Sequence, residues 1–321
     1  MSQLIASESV AFPGLGIGPF SLDQTAFKLF GREVRWYGIL ICIGMILAVL
    51  YILSRARYEK IKTDDVIDLT IFTVIFGVIG ARLYYVLFEL DSYIVKGDFW
   101  ATVKKMVAVW EGGLAIYGAL IAGFITVFIV CRVKKLRFST VLDTVAPGVM
   151  IGQIVGRWGN FMNMEAYGYE TDLPWRMWLS KDNLCHHPTF LYESLWNLIG
   201  FILIAIFYKK KKFNGHIFLF YMTWYGFGRM FIEGLRTDSL YLHIFGLDIR
   251  ISQVVGFVTF AVGLILMIIN LVKVKKYNAR YLEPAYEYEK TADGYEFDGA
   301  TAAEEKSDEV KENVSEDSSD G

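Results

Sequence analysis

Cysteine is scarce in this 321-residue chain. There are three, Cys42, Cys131 and Cys185, and no CxxC spacing among them. That pattern excludes a disulfide framework and a zinc knuckle. No cluster of metal-ligating residues stands out either, so neither a metal nor a cofactor is expected. The start of the chain lacks a basic stretch followed by a short apolar core and a small-residue cleavage point. A removable signal peptide is therefore not expected, and the first long apolar block is read as a retained span. Fixed-period repeats are lacking as well, and so are the inverted halves that transporters often carry.

Apolar length is what the chain has in excess. Hydrophobic residues make up 54% of it, against about 45–50% for a soluble domain, and they fall in long blocks. Seven blocks approach the roughly 20 residues needed to cross about 30 Å of hydrocarbon: 36–54, 66–90, 112–131, 139–156, 188–208, 216–235 and 251–272. The fourth is the weakest, since it holds Asp143, Pro147 and several glycines. Such a segment survives in a membrane only against protein or a polar cavity. The fold class expected is an all-α polytopic membrane protein with seven transmembrane helices.

Charge orients these spans. Basic clusters follow the first, third, fifth and seventh: Arg55, Arg57, Lys60 and Lys62; Arg132, Lys134, Lys135 and Arg137; Lys209 to Lys212; and Lys273, Lys275, Lys276 and Arg280. Four clusters share one face if the span count is odd, and the positive-inside rule makes that face cytoplasmic. The N-terminus is then outside and the C-terminus inside. Three regions follow: an extracytoplasmic segment 1–35, a transmembrane domain 36–275 with a small head region at about 157–187, and a tail 276–321. Residues 281–321 hold fourteen acidic and three basic side chains and few aliphatic ones, a composition read as a disordered acidic tail. Trp100, Trp110, Trp175 and Trp178 in the outer segments read as interfacial anchors. The segment before the first span, from Ser21 to Gly38, alternates apolar and polar residues and suits a short strand or an interfacial element equally.

Ionisable groups at bilayer depth are costly, so they mark function or a specific partner. Residues 156–168, GRWGNFMNMEAYG, gather Arg157, Asn160, Asn163 and Glu165 among glycines at 156, 159 and 168. They fit a phosphate site, because Arg presents a fork of donors, or a capped helix end with an Arg–Glu pair. Arg229, Glu233 and Arg236 share one helix face with Tyr225. They read as an internal salt bridge or as a positive stripe for an anionic headgroup. His187, beside Pro188, is a base or an interfacial cap, and Glu193 falls within the outer leaflet. Arg82 in the second span pairs with Glu89 or snorkels outward.

The run Gly156–Arg157–Trp158–Gly159–Asn160–Phe161–Met162–Asn163–Met164–Glu165–Ala166–Tyr167–Gly168 resembles the signature of the prolipoprotein diacylglyceryl transferase family. Further matches follow in order: Trp36–Tyr37–Gly38, Gly112–Gly113, His187–Pro188 with Leu191–Tyr192–Glu193, and Tyr225 to Glu233. The resemblance covers roughly residues 18–275, and the family has seven spans with the N-terminus outside. It implies functional roles for Tyr37, Arg157, Asn160, Glu165, Gly168, Tyr225, Arg229 and Glu233. Tyr117 stands where many members have a histidine, and Phe190 stands where the family pattern has Gln.

The activity implied is transfer of an sn-1,2-diacylglyceryl group from phosphatidylglycerol to the lipobox cysteine thiol of a prolipoprotein signal peptide. A thioether forms and glycerol phosphate leaves. Arg157, Asn160 and Arg229, with Gly168, His187 and Tyr225, are expected to bind phosphatidylglycerol, while Glu233 orients Arg229. Tyr37, Tyr117, His187 and Glu165 are the candidate bases for the thiol. The partners implied are membrane lipids and the signal peptide, with no nucleic acid, and the place implied is the bacterial cytoplasmic (inner) membrane. The alternative is a transporter or channel for an anionic solute, in which the arginines form an anion path.

Overall fold

Each of the seven apolar blocks becomes a helix in the computed structural model, which describes residues 9–95, 97–239, 241–244, 247–277, 282–286, 289–291 and 294–296. They are α1 (Trp36–Tyr58), α2 (Thr63–Phe88), α5 (Ile116–Val133), α6 (Phe138–Met162), α7 (Thr189–Phe207), α8 (His216–Leu235) and α9 (Ile251–Tyr277). Two short helices, α3 (Leu90–Tyr93) and α4 (Phe99–Val107), lie between α2 and α5. Six of the seven are long and apolar enough to cross a membrane, as befits a multi-pass membrane protein. The exception is α8, whose single face carries both Arg229 and Glu233. The expected weak span is α6. It runs unbroken through Pro147, and it is both the least apolar of the six, with mean hydropathy 1.4, and the most buried. A polar helix needs that burial, because protein then satisfies what lipid cannot.

The all-α expectation needs correction, because short strands flank the helices. β1 (Ser9–Phe12), β2 (Ile17–Ser21), β5 (Met177–Leu179) and β6 (Leu184–His186) form one antiparallel sheet in the order β2-β1-β5-β6. β3 (Thr25–Leu29) and β4 (Arg32–Arg35) form a hairpin just before α1. Its turn residues Phe30 and Gly31 both have positive φ, as a two-residue hairpin turn requires. This settles the open choice for that segment in favour of strands. A second hairpin, β7 (Tyr241–Ile244) with β8 (Leu247–Arg250), joins α8 to α9. Strands of three to five residues are too short for alternation to register against the helical blocks around them. Arg157 to Met162, expected to open the head region, belong to α6.

The chain forms two compact units. The first comprises residues 1–55 and 142–283, and the second residues 56–141 and 284–321. In the first, Asp143 is fully buried inside an apolar helix and has a structural purpose. Its carboxylate accepts from the backbone N–H of Gly215 (2.9 Å) and Phe218 (3.0 Å) at the start of α8, and faces Lys211 Nζ at 3.4 Å. It thus supplies the acceptor that orphan helix-terminal N–H groups need. Further along, α7 and α8 are clasped by two stacked indoles. Trp196 Nε1 donates to the Trp224 carbonyl and Trp224 Nε1 to the Trp196 carbonyl, each at 2.9 Å.

In the second unit α2 packs on α5. Arg82 neither pairs with Glu89 nor reaches outward. Its guanidinium donates to the carbonyls of Met106 (2.8 Å), Lys105 (2.8 Å), Gly112 (2.5 Å) and Gly113 (3.1 Å). A cation thereby closes the irregular backbone between α4 and α5. Lys134 binds Asp65 and Asp68, each at 2.6 Å, and these hydrogen bonds raise its pKa. Part of the segment read as a disordered tail is ordered. Ala285 is buried and its carbonyl accepts from Arg137 N (2.6 Å), while Tyr286 bridges to Leu136, donates to Asp65 (2.6 Å) and accepts from Lys62 N (2.9 Å). β9 (Glu289–Thr291) and β10 (Gly294–Glu296) pair antiparallel, and residues 297–321 lie outside the described residues.

Candidate active site

Three helix ends in the first unit bring the charged residues together: the C-terminal turns of α6 and α8 and the first turn of α7. Glu193 is at the centre, 4% exposed. Its carboxylate is ion-paired with Arg157 from α6 and with Arg229 from α8 (2.5 Å), and Arg236 approaches to 3.8 Å. Arg229 also pairs with Glu233 at 2.5 Å, so the internal salt bridge expected within α8 forms. It is one edge of a larger cluster. Arg157 pairs with Glu193 and not with Glu165, which it reaches only through Asn160. Asn160 Oδ1 accepts from Arg157 (3.3 Å), and Asn160 Nδ2 donates to Glu165 (2.8 Å). Asn163 adds a longer contact to the same Glu165 oxygen (3.4 Å). Arg236 forks onto Asp238 at 2.9 and 2.8 Å. Burial works against the Asp238 carboxylate, but the Arg236 contacts outweigh it and hold its pKa below the usual value.

The glycines of residues 156–168 act by close approach. A Cβ on Gly159 would meet the Tyr37 ring at 2.8 Å, and one on Gly168 would meet His187 Cβ at 2.6 Å and the Leu235 carbonyl at 2.8 Å. Tyr37 therefore packs closely against the helix that carries Arg157, within electrostatic reach of Arg157 and Glu165. Gly168 sits where the loop after α6 pairs with the end of α8: Gly168 bridges Arg236, and Tyr169 N donates to the Leu235 carbonyl. Positive φ in this stretch falls on none of these three glycines but on Met164 (φ 48°) and Ala166 (φ 56°). A left-handed non-glycine residue costs roughly 1–2 kcal/mol, and two of them turn the chain sharply on either side of Glu165. The Thr189 hydroxyl anchors the Ala166 carbonyl from α7.

Tyr225 and Arg229 line a narrow cleft between α7 and α8 together with Glu193, Asn197 and Ile232. His187 stands apart from the arginines in its bonding. Its Nδ1 meets the Tyr192 hydroxyl at 3.2 Å, and that hydroxyl accepts from Trp175 Nε1 at 2.7 Å. The direction of the His187–Tyr192 bond follows the imidazole tautomer. Burial, with the neighbouring His186 second, lowers the His187 pKa, so the neutral imidazole prevails at neutral pH. Trp175, read from sequence as an anchor alone, is thus linked through Tyr192 to His187. Tyr117 opens α5 in the second unit and is half-buried.

The same residues carry a relationship to known proteins. The sequence model of the prolipoprotein diacylglyceryl transferases matches residues 24–269. The chain belongs to the prolipoprotein diacylglyceryl transferase family. Among its relatives is the phosphatidylglycerol--prolipoprotein diacylglyceryl transferase of Finegoldia magna, 42% identical over 248 residues that cover 77% of this chain and 95% of that one. A relative of the same name from Listeria welshimeri is 42% identical over 264 residues, covering 78% and 92%. One from Streptococcus pneumoniae (strain Hungary19A-6) is 44% identical over 255 residues, covering 77% and 94%. The family expected from the residue pattern is thus the family found, and the match spans both the arginine cluster and the Tyr117 helix.

Proposed function

We propose that this chain moves the diacylglyceryl group of phosphatidylglycerol onto the lipobox cysteine of a prolipoprotein, as a seven-span protein of the bacterial cytoplasmic membrane with its N-terminus outside. The observation that carries the reading is the buried Glu193 with Arg157, Arg229 and Arg236 gathered on it. Three guanidinium groups meet the carboxylates of Glu193, Glu233 and Asp238, so an anionic headgroup would share these guanidinium donors with carboxylates that already hold them in place. In the proposed orientation α8 is the sixth span. The basic clusters mark the opposite face, and the arginines then lie in the outer half of the bilayer, at phosphate depth.

In the reaction the cysteine sulfur attacks the glyceryl carbon that carries the phosphate. The S–C bond forms as the C–O bond breaks, and the leaving glycerol phosphate keeps the electron pair. The phosphodiester carries one negative charge and the departing monoester gains more. Arginines aimed at that developing charge stabilise the transition state above the ground state, which is what acceleration requires. Arg157 and Arg229 take this role, Asn160 links Arg157 to Glu165, and Glu193 with Glu233 fixes the guanidinium planes. The thiol, with an ordinary pKa of about 8.5, must lose its proton to a base. His187, a neutral imidazole, is one candidate, and Tyr37, Tyr117 and Glu165 are the others. Gly168 lets the signature loop lie against the end of α8.

Arg157→Ala and Arg229→Ala should each lower transfer by about 10²–10³-fold, the scale for one lost donor at a developing oxyanion, while the protein still inserts. Transfer from labelled phosphatidylglycerol to a lipobox peptide measures this, and wild-type rates in either variant would remove that arginine from the chemistry.

A further inference from the structure

One buried polar group in the cleft is not used by the cluster described above. Asn197 lies one helical turn beyond Glu193 on α7 and lines the same cleft as Glu193, Tyr225 and Arg229. It is 1% exposed, and its amide oxygen has no hydrogen-bond partner among the described residues. A buried amide left unpaired is destabilising, and an apolar side chain of similar shape would be neutral or better there. Partnerless burial beside a charged cluster therefore points to a ligand, since the polar group does nothing for the folded protein on its own.

Depth and chemistry name the ligand group. Four residues of helix separate Asn197 from Glu193, about 6 Å along the axis, toward the bilayer centre in the proposed orientation. With a phospholipid phosphate at the arginines, the groups next beneath it toward the bilayer centre are the acyl esters of its glycerol. An ester carbonyl only accepts hydrogen bonds, and the asparagine NH2 only donates. Rotation of the amide about its last bond exchanges its oxygen and nitrogen, so the NH2 can take the place the oxygen holds. We infer that Asn197 is the subsite for an acyl-ester carbonyl of the donor lipid, holding the glyceryl unit while the arginines hold the phosphate. The inference rests on the proposed transfer reaction and adds the part of the lipid that the cleft recognises. It makes the lipid a two-point ligand, gripped on either side of the carbon that reacts.

The test compares two donors, diacyl phosphatidylglycerol and its dialkyl ether analogue of equal chain length, with wild-type protein and Asn197→Leu, using a labelled lipobox peptide. Wild type should show a KM about tenfold higher for the ether lipid, the worth of one hydrogen bond. Asn197→Leu should raise the KM for the ester lipid by about the same tenfold factor, change kcat less and lose the ester–ether gap. Its melting temperature should equal or exceed that of wild type, which a merely structural asparagine would not allow. Equal use of the two lipids by wild type overturns the subsite, whatever the folding of the variant, and so does a gap that persists in Asn197→Leu. Absence of any transfer by wild type from the diacyl lipid overturns the reaction proposed above and the subsite with it.

Discussion

Replacing Glu193 by Gln tests the arginine cluster at its centre. The carboxylate is 4% exposed and meets three guanidinium groups. Removing one partner of a buried ion pair costs about 3–5 kcal/mol. Glutamine keeps an acceptor oxygen for Arg229, so the lower end applies, about 3 kcal/mol. For a protein of this size that is a fall in melting temperature of roughly 6–12 °C, at about 2–4 °C per kcal/mol. The uncompensated guanidinium charge then favours an anionic ligand more strongly than in wild type. Phosphatidylglycerol at about 100 times its Kd contributes about 2.7 kcal/mol to whichever form binds it, and should restore more of the melting temperature in Glu193→Gln than it adds to wild type. Phosphatidylcholine, with no net charge, should not discriminate between the two. Thermal melts in detergent with each lipid read this out. A variant that melts with wild type, or that gains no more than wild type from phosphatidylglycerol, would show that Glu193 does not hold the guanidinium groups for an anion.

Ala166→Gly removes the Cβ that a φ of 56° disfavours, so it should raise stability by up to about 1 kcal/mol and leave the Glu165 contacts in place; a lower melting temperature would contradict the strain. His187 titrates below the ordinary value of about 6.5, so the folded protein holds fewer protons on it than the unfolded chain does. The stability it contributes is full above the unfolded pKa and is lost as pH falls through the folded one. His187→Gln should flatten stability against pH in that acidic window, and if His187 is the base it should also abolish the acidic limb of the transfer rate. Tyr117→Phe removes the hydroxyl at the position where many family members have histidine; unchanged turnover would clear Tyr117 as the base.

Much of the helical frame was legible in sequence because hydrocarbon thickness imposes one length on every crossing segment, and all seven blocks are helices. The arginines were legible for the same reason, since Arg157 and Arg229 are too costly at bilayer depth to be incidental. Their shared partner was harder to see. Glu193 lies 36 residues from both Arg157 and Arg229, and only the fold places it between them, so the local alternatives, Arg157 with Glu165 and Arg229 with Glu233, came first. The left-handed residues Met164 and Ala166 escaped because sequence points to glycine for such backbone, whereas Gly156 and Gly159 are spent inside α6. The strands β1, β2, β5 and β6 escaped because three to five residues carry no measurable period and their partners are far apart: β1 pairs with β5 across more than 160 residues. Arg82 shows the same limit, as its partners are backbone carbonyls, which every residue has and no pattern marks.

The clip at Ala285 and Tyr286 has a consequence for how the molecule is made. Lys62, Asp65, Leu136 and Arg137 leave the ribosome long before residue 285, and until it arrives their contacts with Ala285 and Tyr286 are unmet. The second unit is therefore finished by nearly the last described piece of chain to be synthesised, after every membrane helix has been delivered. A nascent protein halted at the end of α9 has all its spans and lacks its latch.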